Sequence, residues 1–169
     1  MPVPRWQLLA GKVLTTCAYM TMSLTITASA FAIVVHFSGL ERLGMSVNMP
    51  PAAVLRLILY CLPMVPVGAG LMTIVAAATR TMREAQTYLG LMLMVPTLPL
   101  VFAAIMGLRP TATLMLVPSL SQHFLIMSVL RDEPLPQLYQ LLSVAATLAL
   151  GAALCLIAGR LYYREKIIG

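Results

Sequence analysis

The sequence predicts an all-α integral membrane protein of about four transmembrane helices plus one re-entrant or partly inserted helical hairpin. Three observations predict it. The first is composition: of 169 residues, 60% are hydrophobic and 9% charged, with a mean hydropathy of +0.93. A soluble domain is about 45–50% apolar and about 25% charged, so eleven basic and five acidic side chains do not cover a water-soluble surface of this size. The second is five runs free of Asp, Glu, Lys and Arg: Val13–Phe37, Leu57–Thr79, Ala85–Leu108, Thr111–Leu130 and Pro134–Gly159, of 25, 23, 24, 20 and 26 residues. A spanning helix needs about 20. The third is that the charged residues stand at the ends of these runs, where they orient them.

The elements follow in order as one transmembrane domain over 1–169. Residues 1–12 form a cytoplasmic amphipathic lead-in with Arg5, Lys12 and an interfacial Trp6. Ala28-Ser29-Ala30 imitates a signal-peptide cleavage site, but Phe31–Phe37 continues the apolar run, which favours a retained first helix over 13–37. Ser38–Arg56 is then an external loop. The second span, 57–79, carries Pro63 and Pro66 followed by Gly68 and Gly70. The turn Arg80–Glu84 is cytoplasmic, and Arg80 and Glu84 pair at i,i+4 if the helix continues through them. The third span, 85–108, carries Pro96 and Pro99. Each proline removes a backbone donor, so these two pairs are hinge or kink candidates.

The fourth run decides where the C-terminus lies. If Thr111–Leu130 crosses, Lys and Arg divide five inside to six outside, which is no bias. If it dips in and returns, the division is seven inside to four outside, as the positive-inside rule requires. This run is the shortest and carries Pro118, Ser119, Ser121, Gln122 and His123 at its middle. Polar groups at membrane depth are tolerated only where protein or a water-filled cavity surrounds them. The re-entrant arrangement over 111–130 is therefore preferred, with Pro118, Gln122 and His123 as its candidate functional residues. The last span is 134–159, and 160–169 is a cytoplasmic tail. Gly151, Cys155 and Gly159 recur every four residues on the last span, a small-residue face that lets another helix approach closely. This face is also the candidate contact with a second chain.

Little in the sequence carries chemistry. Cys17, Cys61 and Cys155 are odd in number, lack CxxC spacing and sit in apolar runs, so they read as small apolar residues rather than metal or redox groups. His36 and His123 stand in different runs without a carboxylate, and no carboxylate lies inside a span. No HExxH, GxSxG or P-loop spacing is present. We expect no catalytic residue, metal or cofactor. The net charge of +6 comes from basic residues scattered singly at segment ends, which is no nucleic-acid footprint.

Several segments together resemble a known family. Pro2-Val3-Pro4-Arg5-Trp6-Gln7-Leu8-Leu9-Ala10-Gly11-Lys12 is similar to the stretch that enters the third transmembrane helix of ABC type-2 exporter permeases. Arg83-Glu84-Ala85-Gln86-Thr87-Tyr88, followed by Met94-Val95-Pro96, resembles a segment of their sodium-efflux-type branch. Leu116-Val117-Pro118 with Gln122 resembles the external hairpin before the last helix, with Ser121 where that family often has Asn. Tyr162-Tyr163-Arg164-Glu165-Lys166 is similar to the family's tail.

The resemblance implies part of the ABC type-2 transmembrane fold, a second permease chain, and a separate ATP-binding-cassette ATPase on the cytoplasmic face. Docking candidates are Arg5, Trp6, Gln7 and Lys12 in the lead-in, and Arg80, Arg83, Glu84 and Gln86 in the turn. It also implies a multi-pass protein of a bacterial or archaeal plasma membrane. Complete permeases of the class have about six spans, two of them before the region seen here, so the expectation is the C-terminal part of a permease. The alternatives are an inactive truncated permease and a non-transporting membrane accessory or assembly protein, which needs only the apolar helices and basic ends.

Overall fold

The computed structural model describes residues 5–37 and 50–164, without the side chains at 5, 6, 8, 9 and 162–164. Among the described residues every regular element is helical: α1 (Arg5–Phe37), α2 (Pro51–Cys61), α3 (Met64–Ala78), α4 (Met82–Met106), a 3-10 turn (Leu114–Leu116), α5 (Pro118–Leu130) and α6 (Gln137–Arg164). Three helices are long and apolar enough to cross a membrane: Ala10–Phe37, Met82–Met106 and Gln137–Leu161. α2 and α3 pass the same test together as one span bent by 41°. Large apolar side chains stand on the outside of α1 and α4, among them Leu14, Tyr19, Val95, Phe102 and Ile105. An exterior of this kind is stable against lipid and unstable against water. The protein is an all-helical membrane protein.

The threonines show how polar residues are carried in apolar helices. The hydroxyls of Thr15, Thr16, Thr21 and Thr25 in α1 each donate to the carbonyl four residues back at 2.8–2.9 Å. Thr73 and Thr97 do the same in α3 and α4. A hydroxyl satisfied on its own helix needs no partner from lipid.

Four expectations are corrected by the local structure. The lead-in is not a separate surface helix: α1 runs unbroken from Arg5 into the span, for 33 residues. The external loop is shorter than Ser38–Arg56, because α2 starts at Pro51, with proline at a first-turn position where its missing N–H is unneeded, and takes in Arg56. Arg80 and Glu84 do not pair along a continuing helix, because α3 ends at Ala78. Instead the Glu84 carboxylate accepts from the backbone N–H of Arg80 (3.1 Å) and Thr81 (3.3 Å), and Thr81 Oγ1 accepts from Glu84 N. This is a capping box that starts α4.

The fourth correction concerns the proline pairs, which share one spacing and behave differently. At Pro63 and Pro66 the helix breaks, and the Leu62 carbonyl, deprived of the N–H of residue 66, accepts from Val65 N at 3.0 Å instead. At Pro96 and Pro99 α4 continues without a break. Spacing alone therefore does not make a hinge. The broken helix differs in being clamped by tertiary contact just beyond its prolines.

That contact is the centre of the molecule. A Cβ added at Gly70 would lie 2.8 Å from Leu154 Cβ and 3.2 Å from Cys155 N, and one at Gly151 would lie 3.2 Å from the Pro66 ring and Val67 N. Cys155 Sγ reaches the Pro66 carbonyl at 3.7 Å. These glycines bring the α3 and α6 backbones together as small-residue motifs do in membranes. The expectation that Gly151 and Cys155 meet a second chain is thereby corrected: α3 of the same chain occupies that face. Gly159 lies further along α6, half-buried. α1 packs on α3, with Met20 over Gly68, and α5 is held among α2, α4 and α6.

The pairings also set direction. Residue 66 meets 151 and residue 70 meets 154, so α3 and α6 run parallel. α1 runs antiparallel to α3, since Met20 meets Gly68 while Thr15 and Thr16 stand beside Met72 and Thr73.

Candidate functional site

The short helix α5 and its approach form the most unusual part of the fold. α4 ends at Gly107, whose φ of 58° is the left-handed conformation glycine adopts without strain, and Gly107 and Leu108 both donate to Ala103 O. The chain then passes through Pro110 and the 3-10 turn to Pro118, and α5 begins with proline at its first position. At its far end Glu133 N donates to Ser128 O (3.0 Å) and Asp132 N to Val129 O (3.4 Å), a Schellman closure with Asp132 at φ 52°. Gly107–Pro110 and Arg131–Leu135 line the same cavity, so the excursion starts and finishes at one end of the molecule. α5 has 13 residues, about 20 Å of helix, against a hydrocarbon core about 30 Å thick.

Polar side chains fix how deep α5 lies. Ser143 Oγ donates to Ser121 Oγ at 2.8 Å, Ser121 Oγ donates to Pro118 O at 3.0 Å, and Thr147 Oγ1 donates to Ser143 O at 2.7 Å. All three side chains are fully buried. Ser121 is level with Ser143, and Pro118 is one turn further in, level with the region of Thr147. That places the start of α5 about 15 Å along α6 from its beginning at Gln137. A hydrophobic cluster of Ala103, Met115, Leu120 and Phe124 closes the side toward α4.

Gln122 stands apart. It is 5% exposed, and neither its amide oxygen nor its nitrogen has a hydrogen-bond partner. Such a group normally costs about 1–3 kcal/mol. Pro118 lies at the head of α5, and His123 lines the cavity at 5.8 Å, ring to ring, from Phe124. His36 ends α1 against Phe37. Cys17, Cys61 and Cys155 are free thiols, half-buried rather than buried.

The hydroxyl pair was missed in the sequence, although a signal existed. Ser143 and Thr147 extend the four-residue recurrence of Gly151, Cys155 and Gly159 upward along α6, so one helix face carries small or hydroxylated residues from 143 to 159. The upper half faces α5 and the middle faces α3.

The proposed docking residues gather at the opposite end. Arg80, Arg83, Glu84 and Gln86 are all exposed on the turn between α3 and α4. Gln7 and Lys12 line a groove of about 630 Å³ with Met72, Thr73 and Ala76 of the last turns of α3. The structure thus brings the lead-in and the turn to one end, which Arg160 of α6 shares because α6 runs parallel to α3. The side chains of Arg5 and Trp6 lie outside the described residues, as do Pro2–Pro4, Glu165 and Lys166. Comparison with models of protein families, with curated proteins and with solved structures finds no match to this chain.

Proposed function

We propose that the chain is the membrane-spanning permease subunit of an ATP-binding-cassette exporter, or the C-terminal part of one. It crosses the membrane four times, through α1, the bent pair α2–α3, α4 and α6. The segment 111–130 enters from the outside and returns, as part of an ABC type-2 transmembrane fold. The observation that carries this reading is the contrast between the two ends. One end presents the exposed, capped turn Arg80–Gln86 beside the groove of Gln7 and Lys12, a surface suited to a soluble ATPase. The other end holds a half-length helix with buried hydroxyls and an unpartnered amide at mid-depth. Polar groups at that depth belong to a path through the protein rather than to an anchor. ATP-driven rocking of two such permease halves against each other gives alternating access, and the break at Pro63–Pro66 supplies the hinge. The parallel pairing of α3 and α6 supports the four crossings, because an odd number of passes must lie between them and α4 is one. The bias of basic residues places the docking end in the cytoplasm of a bacterial or archaeal cell.

The test is purification of the tagged chain from its native host in mild detergent, with its partners identified by mass spectrometry. The expected result is recovery of an ATPase carrying a P-loop. Charge reversal at the turn, R80E with R83E, is expected to reduce that recovery at least about tenfold while leaving the amount of chain in the membrane unchanged, since both side chains are exposed. Recovery of the chain without an ATPase sinks the exporter reading and leaves the accessory one.

A further inference from the structure

Outside the hairpin's polar core, the largest cavity, about 640 Å³, opens between the C-terminal ends of α4 and α5. Its polar rim is Arg109, Arg131, His123 and Glu133, and its inner wall is Phe124 and Met127 with alanines of α4. Two chain reversals build it: Gly107 in the left-handed conformation places Arg109 on one lip, and the Schellman closure at Asp132 places Arg131 on the other. A smaller cavity of about 460 Å³ on another side of α5 shares Arg131 and adds Arg56. Neither Arg109 nor Arg131 makes an ion pair among the described residues, although Glu133 stands on the same rim. Two guanidiniums against one carboxylate leave the rim cationic, and a guanidinium fork matches phosphate oxygens in pairs.

We propose that this cavity binds the headgroup of an anionic phospholipid, with Arg109 and Arg131 on the phosphate. The acyl chains would follow the flank of α4. Three features argue for a lipid rather than a free anion. The cavity lies at the membrane edge of the bundle, where α4 and α5 end and α6 begins. Its volume suits a headgroup and glycerol but not whole chains, within the usual range of about 300–1,000 Å³ for ligand sites. The α4 surface running away from it is apolar and exposed at Phe102 (61%), Ile105 (77%) and Met106 (70%). The assignment needs no transport activity and stands apart from the exporter reading.

Native mass spectrometry of the purified chain in detergent tests it, with dioleoyl phosphatidylglycerol and dioleoyl phosphatidylcholine titrated separately. The first phosphatidylglycerol adduct is expected to form about tenfold more tightly than the first phosphatidylcholine adduct, from the favourable contribution of two arginines to an anionic headgroup. R109Q with R131Q is expected to bring the two lipids within about twofold of each other. R160Q, at the opposite end, is expected to keep the preference. A104W leaves both guanidiniums in place and fills the cavity, so it covers the case in which the double variant fails to fold; it is expected to weaken the phosphatidylglycerol adduct. Parity of the two lipids on the unmodified chain overturns the proposal. So does a preference that survives in R109Q with R131Q, one that is unchanged in A104W, or one that is lost in R160Q.

Discussion

Gly70→Leu is expected to separate α3 from α6 and to abolish the stable bundle. Even a methyl group at this position would meet Leu154 Cβ at 2.8 Å and main-chain atoms of residues 154 and 155 at 3.2 Å. A flexible side chain can swing aside, as Met20 can for Gly68, but a helix backbone cannot. Overpacking in a well-packed core costs about 1–3 kcal/mol, and Gly70→Ala is expected to fall in that range. Leucine goes further, because it also displaces the Pro66–Gly151 contact one turn away. The check is thermal unfolding in detergent followed by circular dichroism, with Gly90→Leu alongside. A Cβ added at Gly90 would meet nothing within 4 Å, so that variant is expected to unfold with the unmodified chain. Equal melting of Gly70→Leu and the unmodified chain would mean that α3 and α6 do not touch here.

Gln122→Leu is expected to act in the opposite direction on stability. Both polar atoms of the Gln122 side chain are buried and unpartnered, and leucine has a similar volume with nothing to satisfy. Relief of an unmade pair of hydrogen bonds is worth about 1–3 kcal/mol. The same thermal measurement should therefore show a higher midpoint for the variant. A residue retained against its own stability cost fits a role in the transport path, so export by the complex should fall while the chain becomes more stable. A lower midpoint would show that something in the membrane satisfies the amide.

The large features were legible because they depend on composition alone. Five uncharged runs and the charges between them give the apolar helices wherever tertiary contact is dispensable. What escaped was set by contact or by competition among local partners. The spacing of Arg80 and Glu84 fits an ion pair, but the backbone N–H groups at the start of α4 are nearer and need an acceptor, so the carboxylate caps the helix. Pro63/Pro66 and Pro96/Pro99 look alike as sequence, and only the packing of α3 on α6 separates a break from a continuous helix. The small face of α6 was correctly a packing face, but its neighbour is in the same chain, which periodicity cannot reveal. Ser143 and Thr147 were hidden because serine and threonine in a membrane helix usually bond their own backbone. Thr147 does so, while Ser143 reaches across to Ser121.

Both the docking face and the buried hairpin rest on residues 111–130 entering and leaving from one side. Single cysteines in a chain freed of Cys17, Cys61 and Cys155, labelled on whole cells with a membrane-impermeant maleimide, test this most directly. R109C and E133C are both expected to label from outside, and R83C only after the cells are opened. Labelling of R109C and E133C from opposite sides would make 111–130 a full crossing and contradict the topology proposed for this chain.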